Sequence, residues 1–163
     1  MIASQEPPEQ HVEQIGQFVV SHSPESHLEA EAQALDILVP DGTPVLAAED
    51  GIITQIEVGH SMHGTNISFG AYANFIVIEH QNGEFSQYVH LAQDSISEHL
   101  TVNSQVQKGE TIALTGMTGW TDRPHLHFIV FRTEENETIN GVTVPNPSKY
   151  KSLKPRFDIS EEV

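Results

Sequence analysis

His125-Leu126-His127 is the first constellation in this 163-residue chain whose residue types and spacing suit chemistry. In a strand, residues i and i+2 project from one face. Two imidazoles then enter the same space while Leu126 turns away. Such a pair suits one metal ligand beside one acid or base. Pro124 can fix the beginning of the strand. The turn-rich Gly116-Met117-Thr118-Gly119-Trp120 before it sets that beginning at the rim of something open. His90, closing the apolar-polar run 84–90, is a third imidazole that can meet the same face. Asp36 stands between apolar Leu35 and Ile37, and a carboxylate there is costly unless it is paired or bound to a cation. His27 lies nine positions upstream of it. A His, Asp, His set that leaves one position open is a catalytic zinc arrangement. Zinc would acidify its water to a pKa of about 7 and polarise a carbonyl, which is hydrolytic chemistry. Plainer readings exist. Asp36 can cap a turn or pair with Arg123, and His90 can be a hydrogen-bonded strand end. On spacing alone, a structural or binding β domain stands ahead of an enzyme.

The elements that must position these residues read as strands. Short apolar runs punctuated by turn residues fill the middle of the chain. Strands are expected at 17–21, 44–48, 52–58, 74–80, 84–90, 111–115 and 125–132, with a long loop at 59–73. Asn82-Gly83 between two period-two runs is strong hairpin chemistry, because both residues accept positive φ. Asp41-Gly42 and Asp50-Gly51 mark further turns. Only 95–100 suggests a helical turn. The expected class is mainly β, a single antiparallel domain. Residues 1–15 read as a polar N-terminal arm, 16–132 as the domain, and 133–163 as a C-terminal extension wrapping it.

Composition narrows the partners. Seven Lys+Arg against 23 Asp+Glu give a net charge of −16, which argues against nucleic acid and against anionic membrane surfaces. Hydrophobic residues at 37% are enough for one core. The absence of Cys removes disulfides, thiolate metal sites and a Cys nucleophile together. Any metal chemistry must then draw on carboxylates and the ten His. The N-terminal residues have neither the basic nor the apolar region of a signal peptide. No apolar run approaches the ~20 residues of a spanning helix, so membrane insertion is not expected. The protein is expected to be cytoplasmic, or extracytoplasmic if a leader is missing from this chain.

Taken in order, five motifs resemble one family. They are His27 with Ala34-Leu35-Asp36-Ile37; Pro40-Asp41-Gly42-Thr43-Pro44-Val45; Tyr88-Val89-His90-Leu91; Lys108-Gly109-Glu110 leading into Gly116-Met117-Thr118-Gly119; and Pro124-His125-Leu126-His127-Phe128. Together they resemble the LytM/lysostaphin-type zinc endopeptidases, which cut peptide cross-links of bacterial peptidoglycan. The resemblance covers roughly residues 20–132. It implies an antiparallel β fold with a groove and one Zn2+. It implies His27, Asp36 and His127 as zinc ligands, with water in the fourth position. His125 is implied as general base or stabiliser of the tetrahedral intermediate, and His90 as its partner. The implied substrate is a peptidoglycan peptide or another peptide.

Two departures matter. The compact family motif places its first His four residues before the Asp, where this chain has Ala32. His27 is preferred for that role, since a shorter loop closes more easily onto the Asp. His22, fourteen before, competes with it. Asp122-Arg123 stands where the family often has small residues, which alters the floor or charge of the groove. If neither His reached a metal, the protein would resemble the degenerate members that act as non-catalytic regulators or scaffolds. A third reading starts from Val102–Gly116, whose rhythm also suits a biotinyl or lipoyl carrier. Lys108 lacks a carrier's neighbours, and the clear hairpin tip is Asn82-Gly83. His60 and His63 read as groove-lining or solvated loop residues, His80 as structural, and His11 and His99 as exposed. Trp120 and Tyr88 read as core or as neighbours of the site.

Overall fold

The computed structural model describes residues 12–15, 17–22, 27, 31–133, 136–145 and 149–157. Fifteen strands occur among them: β1 (Val12–Ile15), β2 (Phe18–Ser21), β3 (Leu35–Leu38), β4 (Pro44–Leu46), β5 (Gly51–Glu57), β6 (His63–Gly64), β7 (Phe75–Glu79), β8 (Glu84–Val89), β9 (Gln105–Val106), β10 (Thr111–Leu114), β11 (Gly119–Trp120), β12 (Leu126–Thr133), β13 (Asn136–Ile139), β14 (Val142–Pro145) and β15 (Tyr150–Leu153). Nine of them form one sheet in the order β1-β2-β3-β12-β8-β7-β5-β9, with β15 also paired to β12. Every pairing in it is antiparallel. The fold is therefore mainly antiparallel β, as the sequence implies.

Alternation along the strands gives this sheet two different faces. Ile53, Ile76, Ile78, Tyr88 and Phe128 turn to one side, where they meet Val45 of β4 and Ile112 and Ala113 of β10 in the hydrophobic core. Leu126 packs against that core from its edge. The residues one step away, Phe75, Gln87, Val89 and His127, line a cavity on the other side. Tyr88 is a core residue: its hydroxyl accepts from Ala48 N at 2.8 Å and from Ser86 Oγ at 2.9 Å.

β12 is the centre of the arrangement. One edge pairs with β8 over most of its length. The other pairs first with β3, through Leu126–Phe128, and then with β15, through Val130–Thr133. The hairpin between β7 and β8 turns at Asn82 (φ +72°) and Gly83 (φ +69°), the two residues whose types tolerate that region.

Three expectations need correction. Val12–Ile15, read as part of a polar arm, pairs with β2 from Val12 opposite Ser21 to Ile15 opposite Phe18. Residues 1–11, including His11, lie outside the described residues. Residues 95–100 do not form a helix. Ser95 Oγ exchanges hydrogen bonds with Leu114 at 3.2 Å and Ser97 N donates to Ile112 O at 3.3 Å, so β10 takes groups a helix would use. Only Leu100 N to Ser97 O closes a turn. Within the loop 59–73, Ile67–Tyr72 forms a 3₁₀ helix that Asn66 caps by accepting from Ser68 N at 2.9 Å. Of the C-terminal extension, β13 and β14 form a hairpin and β15 joins the main sheet.

The loop 59–73 is docked on β11. Gly119 N donates to Met62 O at 2.9 Å and Trp120 Nε1 to Thr65 O at 3.1 Å. Gly119 has φ +90°, and a Cβ there would lie 2.6 Å from the Cβ of Ala73. Gly42 has φ +81° with open space around it. Gly42→Ala is expected to cost about 1–2 kcal/mol from backbone conformation alone. Gly119→Ala is expected to cost about 1–3 kcal/mol more, because overpacking adds to the strain. Urea denaturation midpoints of the two variants measure the difference.

Candidate metal and catalytic centre

The register between β3 and β12 builds the centre. Asp36 lies directly opposite His127, and opposite Ser21 on its other side. Directly opposite residues of an antiparallel pair point to one face, so the carboxylate and the imidazole meet over the floor of the cavity. His127 Nδ1 is 3.1 Å from Asp36 Oδ1. His27 reaches the same oxygen with Nε2 at 3.2 Å. His125 stands just ahead of β12, with its Nε2 3.5 Å from Asp36 Oδ1. His90 follows the end of β8, and its ring meets His125 edge-on at 4.6 Å between centroids. All five nominated residues line one cavity of about 650 Å³. Arg123 is engaged by Asp122 at 3.3 Å, while Asp36 meets imidazoles.

The donor set fits a metal ion. His27, Asp36 and His127 each offer one ligand atom, and these atoms lie within 4.8 Å of one another. Ligands of a tetrahedral zinc with bonds of about 2.0–2.1 Å are about 3.3 Å apart, close to the 3.1 and 3.2 Å separations of the two imidazole nitrogens from Asp36. Two imidazoles and one carboxylate leave a position open. His27 and Asp36 are buried, at 6% and 8% exposure. Burial alone would raise the Asp36 carboxyl, but hydrogen bonds from His127 and His27 hold it well below the usual carboxylate range. His127 moves the opposite way: burial opposes its charge, yet Asp36 and Glu31 raise it to about 9. A cation bound at the ionised Asp36 carboxylate would displace the proton that Asp36 and Glu31 favour on His127. His22 is not a member of this cluster.

Main-chain carbonyls set the tautomers of the other two imidazoles. His90 Nδ1 is 2.6 Å from Thr118 O, and His125 Nδ1 is 2.9 Å from Arg123 O. A carbonyl oxygen only accepts, so each Nδ1 carries the hydrogen and each neutral ring keeps its lone pair on Nε2. Burial, followed by the charge of His125, lowers His90 to about 4.

These carbonyl partners were not legible in the sequence. Nor was Asn74, which is fully buried and joins three segments around His90. Its side chain accepts from His60 N at 3.0 Å and donates to His60 O at 2.8 Å and Leu91 O at 3.2 Å. Its backbone N donates to Thr118 Oγ1 at 3.0 Å, and Thr118 Oγ1 donates to Leu91 O at 2.8 Å. The network holds His90 at φ +65°, a left-handed conformation unusual for a residue with a side chain. A polar residue at the start of an apolar strand was the signal that could have found Asn74.

The remaining histidines separate cleanly. His80 is held by Asp50 O at 2.8 Å and Ser86 Oγ at 2.7 Å. His99 is exposed beside Glu110. His60 lies 3.5 Å from Glu57. From the loop 59–73, Thr65, Gly70 and Ala73 line the cavity, rather than His60 or His63. Trp120, 40% exposed, forms part of the rim.

Comparison with known proteins gives a match to the family model described as Peptidase family M23 over residues 30–140. The DD-carboxypeptidase/endopeptidase Mpg of Neisseria meningitidis is 32% identical over 123 residues, covering 76% of this chain and 25% of the relative. The peptidoglycan DD-endopeptidase ShyA of Vibrio cholerae is 31% identical over 93 residues, covering 57% of this chain and 18% of the relative. This chain thus spans about a quarter or less of the length of these relatives. Among solved structures, a variant catalytic domain of the prophage-encoded M23 protein EnpA from Enterococcus faecalis shares the fold. It has a TM-score of 0.53 and 19% identity, covering 83% of this chain and 95% of that one.

The cluster predicts a clear separation of variants. Asp36→Ala and His27→Ala are each expected to reduce metal content from about one ion per chain to near zero with the β fold retained. His22→Ala is expected to keep its metal. Elemental analysis beside far-UV circular dichroism measures both. An Asp36→Ala protein at full occupancy would remove Asp36 from the ligand set.

Proposed function

The chain belongs to peptidase family M23, and from that membership and the arrangement of its histidines we propose that it is a zinc-dependent endopeptidase acting on peptide cross-links of peptidoglycan. One observation carries the reading. An imidazole-carboxylate-imidazole set lies on the floor of a cavity, with two further imidazoles beside it whose Nδ1 hydrogens are occupied by main-chain carbonyls. His27 through Nε2, Asp36 through Oδ1 and His127 through Nδ1 would hold the metal. Zinc bound there supplies a Lewis acid that polarises the scissile carbonyl and acidifies a water.

The chain's own groups supply the proton transfers. His125 has its lone pair on Nε2 and lines the cavity beside the three ligand residues. It accepts the proton of the attacking water, and as an imidazolium it delivers that proton to the departing amine. His90 packs edge-on against the His125 ring and fixes its orientation. Once protonated, His125 Nε2 can donate to the oxyanion of the tetrahedral intermediate. Strands β2, β3, β12, β8 and β7 supply the floor through Ser21, Leu38, His127, Gln87, Val89 and Phe75, while the docked loop and Trp120 form a wall. An open groove of that shape suits an extended peptide segment.

The non-catalytic alternative depends on the first His failing to reach the metal. Contact of His27 Nε2 with Asp36 supports the catalytic reading. The relatives named for peptidoglycan DD-endopeptidase activity support the substrate class.

His125→Ala is expected to keep its zinc and to lose about 10²–10⁴-fold in turnover. Release of new amino termini from purified peptidoglycan sacculi, beside elemental analysis, measures this. A chelator is expected to abolish release and added zinc to restore it. Zinc-loaded wild type that releases nothing from sacculi, yet cleaves an unrelated peptide, would overturn the substrate; normal turnover in His125→Ala would overturn the mechanism.

A further inference from the structure

Glu31 has no place in the set of five residues above, yet it touches that set. Its Oε2 lies 3.4 Å from His127 Nε2. A carboxylate accepts and does not donate, so the nitrogen facing Glu31 carries the hydrogen. With Glu31 accepting from Nε2, the proton that His127 gives up to a metal comes from Nδ1, the atom that faces Asp36, and Nδ1 then offers its lone pair. Glu31 is itself held. Tyr150 OH donates to Glu31 Oε1 at 3.1 Å. Tyr150 opens β15, where it lies opposite Thr133 of β12. Two residues further along the same strand, buried Ser152 accepts from Gln33 N through its Oγ at 3.0 Å. β15 therefore grips the segment 31–33 at two points.

That segment lies between His27 and Asp36, the stretch that makes this chain depart from the compact spacing. A longer connection leaves its ends less determined, so the extra length calls for an external restraint. β15 is positioned to supply one, and it lies beyond residues 30–140, the part the family model matches.

We propose that Glu31, anchored by Tyr150 while Ser152 anchors its segment, is a positioning residue that fixes the ring and tautomer of His127, so that the C-terminal strand sets the metal affinity of the centre. This rests on the reading that His27, Asp36 and His127 hold zinc. Outer partners of metal-bound imidazoles orient the ring, and losing one weakens metal binding by about 10–100-fold.

The test is zinc affinity by competition with a chromophoric chelator, on the full chain. The proteins are wild type, Glu31→Gln, Tyr150→Phe, Ser152→Ala and the double variant of Glu31→Gln with Tyr150→Phe. Glu31→Gln is expected to bind zinc about 10–100-fold more weakly. Tyr150→Phe and Ser152→Ala are each expected to bind about 3–10-fold more weakly, as for one lost hydrogen bond. The zinc concentration giving half-maximal activity is expected to shift by the same factors. Because Tyr150 acts through Glu31, the double variant is expected to bind no more weakly than Glu31→Gln alone. Losses that simply multiply would overturn the relay, as would an unchanged affinity in Glu31→Gln. Complete loss of zinc in Glu31→Gln with Tyr150→Phe silent would make Glu31 a direct ligand and equally overturn it. A wild-type chain that binds no zinc would instead overturn the metal site itself. Tyr150→Phe removes one oxygen from a half-buried side chain, which keeps the test valid should Glu31→Gln fold poorly.

Discussion

A buried carboxylate must have partners, and the structure is arranged around providing them for Asp36. The residue is in the middle of a sheet, in an apolar run, at 8% exposure. An isolated ionised carboxylate in such a place would be strongly destabilising. Pairing β3 with β12 in the observed register sets His127 beside it. A shift of one residue would send His127 to the core face and Leu126 into the cavity. Phe128, packed in the core with Ile76, Ile78 and Tyr88, resists that shift, since it would leave the core with the same slip. Burial of the apolar face and solvation of the charge therefore enforce the same register.

Much of this was legible in the sequence because it is carried by alternation. The strands at 75–79, 84–89 and 126–133 fall on the short apolar runs bounded by turn residues, and the i, i+2 relation of His125 and His127 survives although His125 lies just outside β12. The five candidate residues are nominated by type and order, and they line one cavity. What escaped was carried by backbone atoms and by distant pairing. The oxygens of Thr118 and Arg123 have no residue-type signature, since any amino acid offers a carbonyl. Glu31 looks like one more acidic residue in an acidic chain until β15 is in place. Residues 12–15 looked like an arm because an edge strand needs few apolar residues. Residues 95–100 carried a faint helical pattern that tertiary hydrogen bonds to β10 overrode.

The charge balance bears on how a substrate is captured. With a net charge of −16 the chain has little attraction for an anionic polymer at long range. Among the described residues lining the cavity Arg123 is the one Lys or Arg, and it already lies against Asp122. Recognition must then depend on short-range fit: the polar floor of Ser21 and Gln87, and the apolar rim at Trp120. Capture of this kind is slower than steered encounter and less sensitive to salt.

The wide separation of the centre's parts along the chain has a consequence for biosynthesis. Asp36 and His127 are 91 residues apart, and Glu31 and Tyr150 are 119 apart. A contact of such span closes late in folding, after the nearer hairpins have formed. A ribosome-bound chain that ends before residue 125 has the carboxylate and His27 but neither member of the His125/His127 pair. The full cluster of side chains is thus absent from any nascent chain that ends before β12, and it forms only when β12 inserts between β3 and β8. The topology itself delays assembly of the cluster until that strand is made.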